Sequence, residues 1–365
     1  MSVDKLKRTV LGLIAVSLFL VSGAVLAEYP LNLTEGVTPT SHRVYELHMI
    51  ILYVVTVIGI VVFSVMTWSI FHHSTAAEII WTVIPILILI GMAIPATQVL
   101  IFMEKTGDAE MTLKVTGYQW KWKYDYLDED VSFFSALAQE DNEARQRNSG
   151  IDPSTIDNYL KNVDNPIVLP VDTKIRILTT AADVIHSWWV PALGWKRDAI
   201  PGFINDNWTK IEKPGVYRGK CTELCGKDHG FMPIVIHAVS KAEYAAWIKE
   251  KKAEQEAAAA GGDREWTMDE LMEKGASVYA ANCVSCHMAE GQGVAGLFPA
   301  LVGSPIATGP AADHVSRVLN GKNLMPAFKA QLNDVDLAAV ITYERNSWGN
   351  STGDMVQPST VKAAR

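Results

Sequence analysis

Cysteine is scarce in this chain, four in 365 residues, and all four fall in two short motifs. These are Cys221-x-Glu223-x-Cys225-x-x-x-His229-x-x-Met232 and Cys283-x-x-Cys286-His287, so no cysteine is left to staple the fold elsewhere. Basic residues are thin as well: 32 Lys and Arg stand against 40 Asp and Glu, a net charge of −8. They form no basic patch, which excludes nucleic acid as a partner and favours a basic protein. What the chain has in quantity is apolar residues, 49 % of the total, bunched towards the N-terminal end. That bunching points to a membrane protein with room for two or three domains.

Lys5, Lys7 and Arg8 precede an apolar run from Val10 to Leu26, with Val25 and Ala27 at the small-residue cleavage positions. Residues 1–27 read as a secretory signal peptide, the alternative being an uncleaved third membrane helix. Two further runs, Leu47 to Phe71 and Ile79 to Phe102, are each about 24 to 25 residues, roughly 36 Å as helix and enough to cross a bilayer. Segment 28–109 is thus a short lead followed by a transmembrane hairpin. The connection from His72 to Glu78 contains no Lys or Arg, so charge barely constrains orientation. Pro85 and Pro95 inside the second span imply a neighbouring helix that satisfies the freed carbonyls.

From 110 to 240 the pattern becomes short β-branched or alternating runs, such as Met111 to Thr116, Lys174 to Leu178 and Pro233 to Val239, which predicts an all-β sandwich or barrel. A polar, acidic stretch over about 128–165 interrupts it as an insertion with short helical possibilities. Lys241 to Ala260 is rich in Ala, Glu and Lys and ends at Gly261-Gly262, so 241–265 reads as a semi-rigid helical linker. Residues 266–350 are helical again, with a last amphipathic helix from Asn333 to Ser347, and 351–365 reads as a disordered tail.

The first motif offers two thiolates, an imidazole and a thioether, a soft donor set that suits copper. Cys221 and Cys225 can be shared by two metals, and His186, in Val184-Ile185-His186-Ser187-Trp188, is the natural further imidazole. A Cys221 to Cys225 disulfide and a zinc site are the alternatives. The second motif is the attachment signal of a c-type haem: Cys283 and Cys286 form thioethers and His287 is the proximal iron ligand. Two one-electron centres on one polypeptide imply a wire.

On these residues the chain resembles subunit II of the haem-copper cytochrome c oxidases. Further matches are Glu78-x-x-Trp81-Thr82-x-x-Pro85, Gly117-Tyr118-Gln119-Trp120-Lys121-Trp122-Lys123-Tyr124, His186-Ser187-Trp188, Asp198-Ala199-Ile200-Pro201-Gly202 and the Cys221 to Met232 loop. The resemblance runs from the hairpin to about Lys241. It implies a cupredoxin-like Greek-key domain holding a binuclear Cu(A) centre through His186, Cys221, the backbone carbonyl of Glu223, Cys225, His229 and Met232. It also implies that the Glu223 side chain faces a magnesium site shared with subunit I, where a solvated carboxylate is the alternative. Tyr118, Trp120, Trp122 and Tyr124 alternate, so on a strand they would fall on one face; Trp120 matches the tryptophan that receives electrons from an external cytochrome c, while Tyr118, Trp122 and Tyr124 read as packing. Glu78 matches the mouth of a proton path, or is an ordinary acid at a helix N-terminus. Asp183 keeps one carboxylate that the family uses for cytochrome docking, but Ala182 stands where relatives often carry an acid, so docking of soluble cytochrome near copper is in doubt.

Residues 266 to 348 resemble class I cytochromes c, carried by Gly291-x-Gly293, Phe298-Pro299-Ala300-Leu301 and Asn323-Leu324-Met325-Pro326-Ala327-Phe328 around the attachment motif. Met325 is then the distal ligand, with His314 as the alternative. Together the resemblances imply subunit II of a bacterial proton-pumping oxidase with a fused haem c, of the caa3 type. It would lie in the inner membrane with both metal domains on the periplasmic side, partnered by subunit I, subunit III and a donor cytochrome c. Oxygen would be reduced in subunit I. A Cu(A)-containing nitric-oxide reductase component is the alternative; a nitrous-oxide reductase is excluded because nine histidines, mostly assigned already, cannot build its His-rich copper cluster.

Overall fold

The computed structural model describes residues 32–69, 75–146, 149–262 and 264–365. The expected signal peptide and the turn of the hairpin at 70–74 lie outside them. The chain divides into two compact units, one holding most of two long apolar helices and the other formed by Val37–Ser41 and Thr97–Arg365.

Helix α1 spans Pro39–Ser69 and α2 spans Thr75–Met103. Both are long and apolar enough to cross a membrane, and their most apolar windows bury nothing within the protein. Outward-facing residues such as Phe63, Leu89 and Ile94 therefore need lipid or another subunit around them. Helix α1 begins eight residues before the apolar run, at Pro39, a residue whose fixed φ suits a first turn.

Ten strands make two five-stranded sheets. They are β1 (Met111–Tyr118), β2 (Lys121–Tyr126), β3 (Val131–Ser135), β4 (Ile167–Pro170), β5 (Ile175–Ala181), β6 (His186–Val190), β7 (Trp195–Ala199), β8 (Asn205–Thr209), β9 (Gly215–Cys221) and β10 (Pro233–Val239). One sheet runs β3-β2-β1-β5-β8 and the other β4-β10-β9-β6-β7. The pairs β1·β5 and β4·β10 are parallel and the others antiparallel. Alternation drives this: Met111, Leu113 and Val115 point inward along β1, as do Ile175 and Ile177 along β5, and they meet Ile234, Ile236 and Trp188 in one core.

Three sequence expectations change here. The row of aromatics at 118–124 does not lie on one strand, because a turn at Gln119 and Trp120 separates β1 from β2. Trp122 and Tyr124 are buried, while Tyr118 and Trp120 are half-buried. Residues 131–135 are an edge strand paired to β2 and not part of an insertion. Beyond them, the described residues of 136–165 carry one short α-helix, α3 (Gln139–Ala144), and a single 3-10 turn, Pro153–Thr155. The linker helix α4 (Lys241–Gly261) is only half a spacer: Tyr244 and Ile248 join the β-domain core, and Trp247 packs on Tyr126 and Phe133.

The last domain comprises α5 (Met268–Asn282), α6 (Val284–His287), α7 (Pro305–Thr308), α8 (Ala311–Asn320), α9 (Asp334–Asn346) and α10 (Pro358–Ala364). Thr267 and Glu270 close a capping box at the start of α5. At Gly275 a Cβ would stand 2.3 Å from the Ala339 carbonyl oxygen, so only glycine lets α5 and α9 cross this closely. The expected disordered tail is instead ordered. Val356 and Val361 enter the core, Pro358 starts α10, and the Thr342 hydroxyl accepts from Val356 N at 3.0 Å. Two well-placed apolar residues outweigh the polar composition that suggested disorder.

Candidate functional site

Strands β6 and β9 end side by side, with Trp188 opposite Cys221, and this register brings His186 to the Cys221 loop. The loop closes on itself, Cys221 N donating to Met232 O at 3.0 Å and Thr222 N to Ser187 O at 3.1 Å. Inside it the two sulfurs of Cys221 and Cys225 are 3.8 Å apart and both cysteines are free. His186 Nδ1 lies 4.0 Å from Cys221 Sγ, and His229 Nδ1 lies 3.5 Å from Cys225 Sγ. The Glu223 carbonyl oxygen stands 3.4 Å from Cys221 Sγ, and Met232 is buried. Ligand atoms of His186, Cys221 and Cys225 all fall within 4.8 Å of one another, the one such His/Cys/Asp/Glu group among the described residues.

Several neighbours hold these groups in place. Asp183 Oδ1 is 2.9 Å from His186 Nε2, which fixes the ring and turns Nδ1 toward the sulfurs. The other Asp183 oxygen accepts from Gln119 N at 2.8 Å. Gln119 Nε2 and Trp120 Nε1 both donate to the Cys225 carbonyl, at 2.8 and 3.2 Å. Gly117 backs the histidine, for a Cβ there would be 2.6 Å from His186 Cδ2.

The hydrogen bond between the two sulfurs favours a single charge: it pushes the Cys221 thiol far down, burial opposing, and pushes Cys225 up. Burial opposes protonation of His186, yet the bonds to Asp183 and Cys221 outweigh it and raise its pKa. A negatively polarised, enclosed pair of sulfurs flanked by two imidazoles is a donor set that fits soft metal ions such as copper.

In the helical domain Cys283 caps α5, and Cys286 and His287 lie on α6. His287 Nδ1 is 2.9 Å from the Pro299 carbonyl oxygen, an arrangement that leaves Nε2 available to a metal. Burial raises both the Cys283 and Cys286 thiols, so they stay neutral. Met325 packs against the core of the domain, half-buried, at the end of a small bridge with Lys322. His314, the alternative ligand, is buried in a pair with Glu344, Nε2 to Oε2 at 2.9 Å.

Three sequence profiles match: cytochrome c oxidase subunit II, transmembrane domain, over residues 27–99; cytochrome c oxidase subunit II, periplasmic domain, over 111–239; and cytochrome c oxidase, cbb3-type, subunit III, over 270–343. A probable cytochrome c oxidase subunit 2 of Rickettsia bellii is 39 % identical over 257 residues, 67 % of this chain and 91 % of that protein. The chain belongs to the cytochrome c oxidase subunit II family. A second relative, the probable cytochrome c oxidase subunit 2 of Rickettsia prowazekii, is 42 % identical over 224 residues, 58 % of this chain and 69 % of that one. Among solved structures, the periplasmic domain of subunit II of cytochrome oxidase (CoxB) of Bradyrhizobium japonicum is 42 % identical, covering 41 % of this chain and 98 % of its own, with a TM-score of 0.36.

As a subunit II with a cytochrome c domain, the chain is a component of an oxidoreductase complex, a membrane protein with a periplasmic domain and a cupredoxin-like fold. The relatives named are oxidase subunits, which does not favour the nitric-oxide reductase alternative. A magnesium site gains no support: the Glu223 side chain is exposed and stands outside the His186 cluster, and Asp198 is tied to Lys196 at 2.7 Å, which lowers its pKa. Glu78 sits in the first turn of α2. Sequence reasoning read Asp183 only as a docking carboxylate and missed that it also braces His186. It also missed Arg145, whose guanidinium reaches Asp228 beside His229 at 3.1 Å. The Asp183-x-x-His186 spacing was a readable signal; an Arg 83 residues from its partner was not.

Proposed function

We propose that this chain is the electron-transfer subunit II of a proton-pumping haem-copper cytochrome c oxidase of the caa3 type, carrying its own haem c. The observation that carries the reading is the enclosed His186, Cys221 and Cys225 cluster in a subunit II domain, followed on the same chain by an attachment helix whose His287 is held through Nδ1. His186, Cys221, Cys225, His229, Met232 and the Glu223 carbonyl would hold binuclear copper. Cys283 and Cys286 would hold haem c covalently, with His287 and Met325 as its axial ligands. When bound, each centre supplies reversible one-electron chemistry.

The chain's own residues supply rigidity. Burial and the closed Cys221 to Met232 loop limit ligand movement, Asp183 fixes the His186 tautomer, and Gln119 and Trp120 pin the Cys225 carbonyl, so little reorganisation accompanies a change of charge. The Trp120 indole, half-buried and bonded to that carbonyl, suits electron input to the copper site. The chain would accept electrons from a donor cytochrome c at its haem domain and deliver them through the copper domain to subunit I, where oxygen is reduced to water. Subunit III completes the assembly in the bacterial inner membrane, and Glu78 lies at the mouth of a proton path into subunit I.

Removing residues after Gly261 from the purified oxidase tests the order of the wire. Electron input from cytochrome c should slow about tenfold or more as an intramolecular partner is lost. Equal rates with and without the haem domain would overturn it. Optical and EPR spectra of the intact complex, read beside its subunit composition, check the two centres and the partner.

A further inference from the structure

The segment between β3 and β4 touches both halves of the chemistry. It is tied back on itself: Ala138 N donates to Asn162 O at 3.1 Å, Ala136 N to Asp164 Oδ1 at 2.8 Å, and the buried Asp141 carboxylate accepts from Leu160 N and, at 3.1 Å, from Asn162 Nδ2. From this closed loop Arg145 reaches Asp228, Nη2 to Oδ2 at 3.1 Å and Nη1 to Oδ1 at 3.4 Å, with both side chains largely buried. Its guanidinium also lies 4.3 Å over the Phe231 ring. Asp228 immediately precedes His229 and Phe231 immediately precedes Met232, so Arg145 grips the copper loop on both sides of its last turn.

The same residues reach the haem domain. Asn142 accepts from Arg145 Nε at 2.8 Å and donates its amide to the Ala280 carbonyl at 3.1 Å, three residues before Cys283. Across the seam Lys121 donates to Asn282 Oδ1 at 2.6 Å, and Lys227, two residues after Cys225, donates to the Ser285 carbonyl. Lys121 is only 6 % exposed and lies over two rings, Phe134 of the β-domain at 4.6 Å and Phe328 of the haem domain at 5.8 Å. The three hydrogen bonds across the seam each pair a donor on the copper side with an oxygen of the haem domain, at Ala280 and Asn282 in the last turn of α5 and at Ser285 on α6 just beyond it. That is where a helix presents unsatisfied carbonyls and the negative end of its dipole, so two ammonium groups and an amide are the complementary surface.

We propose that residues 136–146 and 149–165 form a bracket that seats the end of α5, and the haem-attachment motif that follows it, on the copper loop, with Arg145 and Asn142 as positioning residues for transfer between the two centres and Lys121 and Lys227 as the opposing jaw. This rests on the function proposed above. A tether alone raises encounter frequency and leaves orientation free; the bracket selects one orientation.

The test uses the assembled oxidase and two readouts, amide hydrogen exchange and haem-to-copper transfer after flash photoreduction. In Asn142→Ala, exchange over residues 276–287 should accelerate about fivefold and transfer should slow about tenfold, with the optical and EPR spectra of both centres unchanged. In Arg145→Gln, exchange over 226–232 should rise too, and pairing Arg145→Asp with Asp228→Arg should restore it. Exchange and transfer within about twofold of the parent in Asn142→Ala would overturn the bracket. Should that variant not assemble, Lys227→Met gives the same readouts. A parent complex lacking the copper or haem spectra would defeat the functional reading, while exchange would still decide the bracket.

Discussion

The β-domain and the helical domain hold their proposed ligands in opposite ways. In the β-domain Cys221, Cys225 and Met232 are members of the hydrophobic core, gripped by two sheets and a closed loop. In the helical domain Cys283 and Met325 only pack against the core, and Cys286 and His287 sit on a four-residue helix beside it. The first site is built by the scaffold as a whole. The second fixes a few atoms, above all His287 through Pro299, and offers an edge.

The largest way to break this contrast is Cys225→Ser. Copper bound per chain, measured by metal analysis, should fall to background, because one thiolate cannot be shared as two are, while covalent haem remains on the denatured polypeptide. Loss of haem along with copper would mean that the domains are not independently built.

A second prediction concerns the seam. Burial lowers the Lys121 pKa from 10.5 to about 8, so between those values the unfolded chain binds more protons than the folded one and stability rises with pH. The gain across that window is at most about 3 kcal/mol. Lys121→Met should remove the dependence and raise the unfolding midpoint at pH 7, with the two proteins converging near pH 10.5; parallel curves would refute it. The smallest effect is confined to the helical domain: Thr267→Ala opens the capping box and should cost about 1 kcal/mol in denaturant unfolding, with the copper spectrum untouched.

Residues that act through close spacing were legible in the sequence. Cys221, Cys225 and His229 lie within one loop, and donor chemistry alone put them on the list. His186 needed the strand pattern and the family resemblance, and the register of β6 against β9 then accounts for its place beside Cys221. Harder to read were groups whose meaning depends on a distant partner, such as Arg145 with Asp228, and Asn142 with Ala280, 138 residues on. Strand and helix periodicity gave the sheets and the helices of the last domain. It failed at the turn after Tyr118, where alternation continues across a change of direction, and in the tail, where Val356 and Val361 are too few to make a periodic signal.

The helical domain also carries a clasp. Trp266 N donates to Gln357 Oε1 at 2.9 Å, and Gln357 Nε2 donates back to Trp266 O at 2.8 Å. One glutamine thus stitches the first residue of the domain to its last helix, as a drawstring closes a purse. Anyone cutting this domain out for separate study should start before Trp266 and run through α10. A fragment trimmed at Asn350, where the sequence alone would end the domain, would leave the seam undone and two core valines missing.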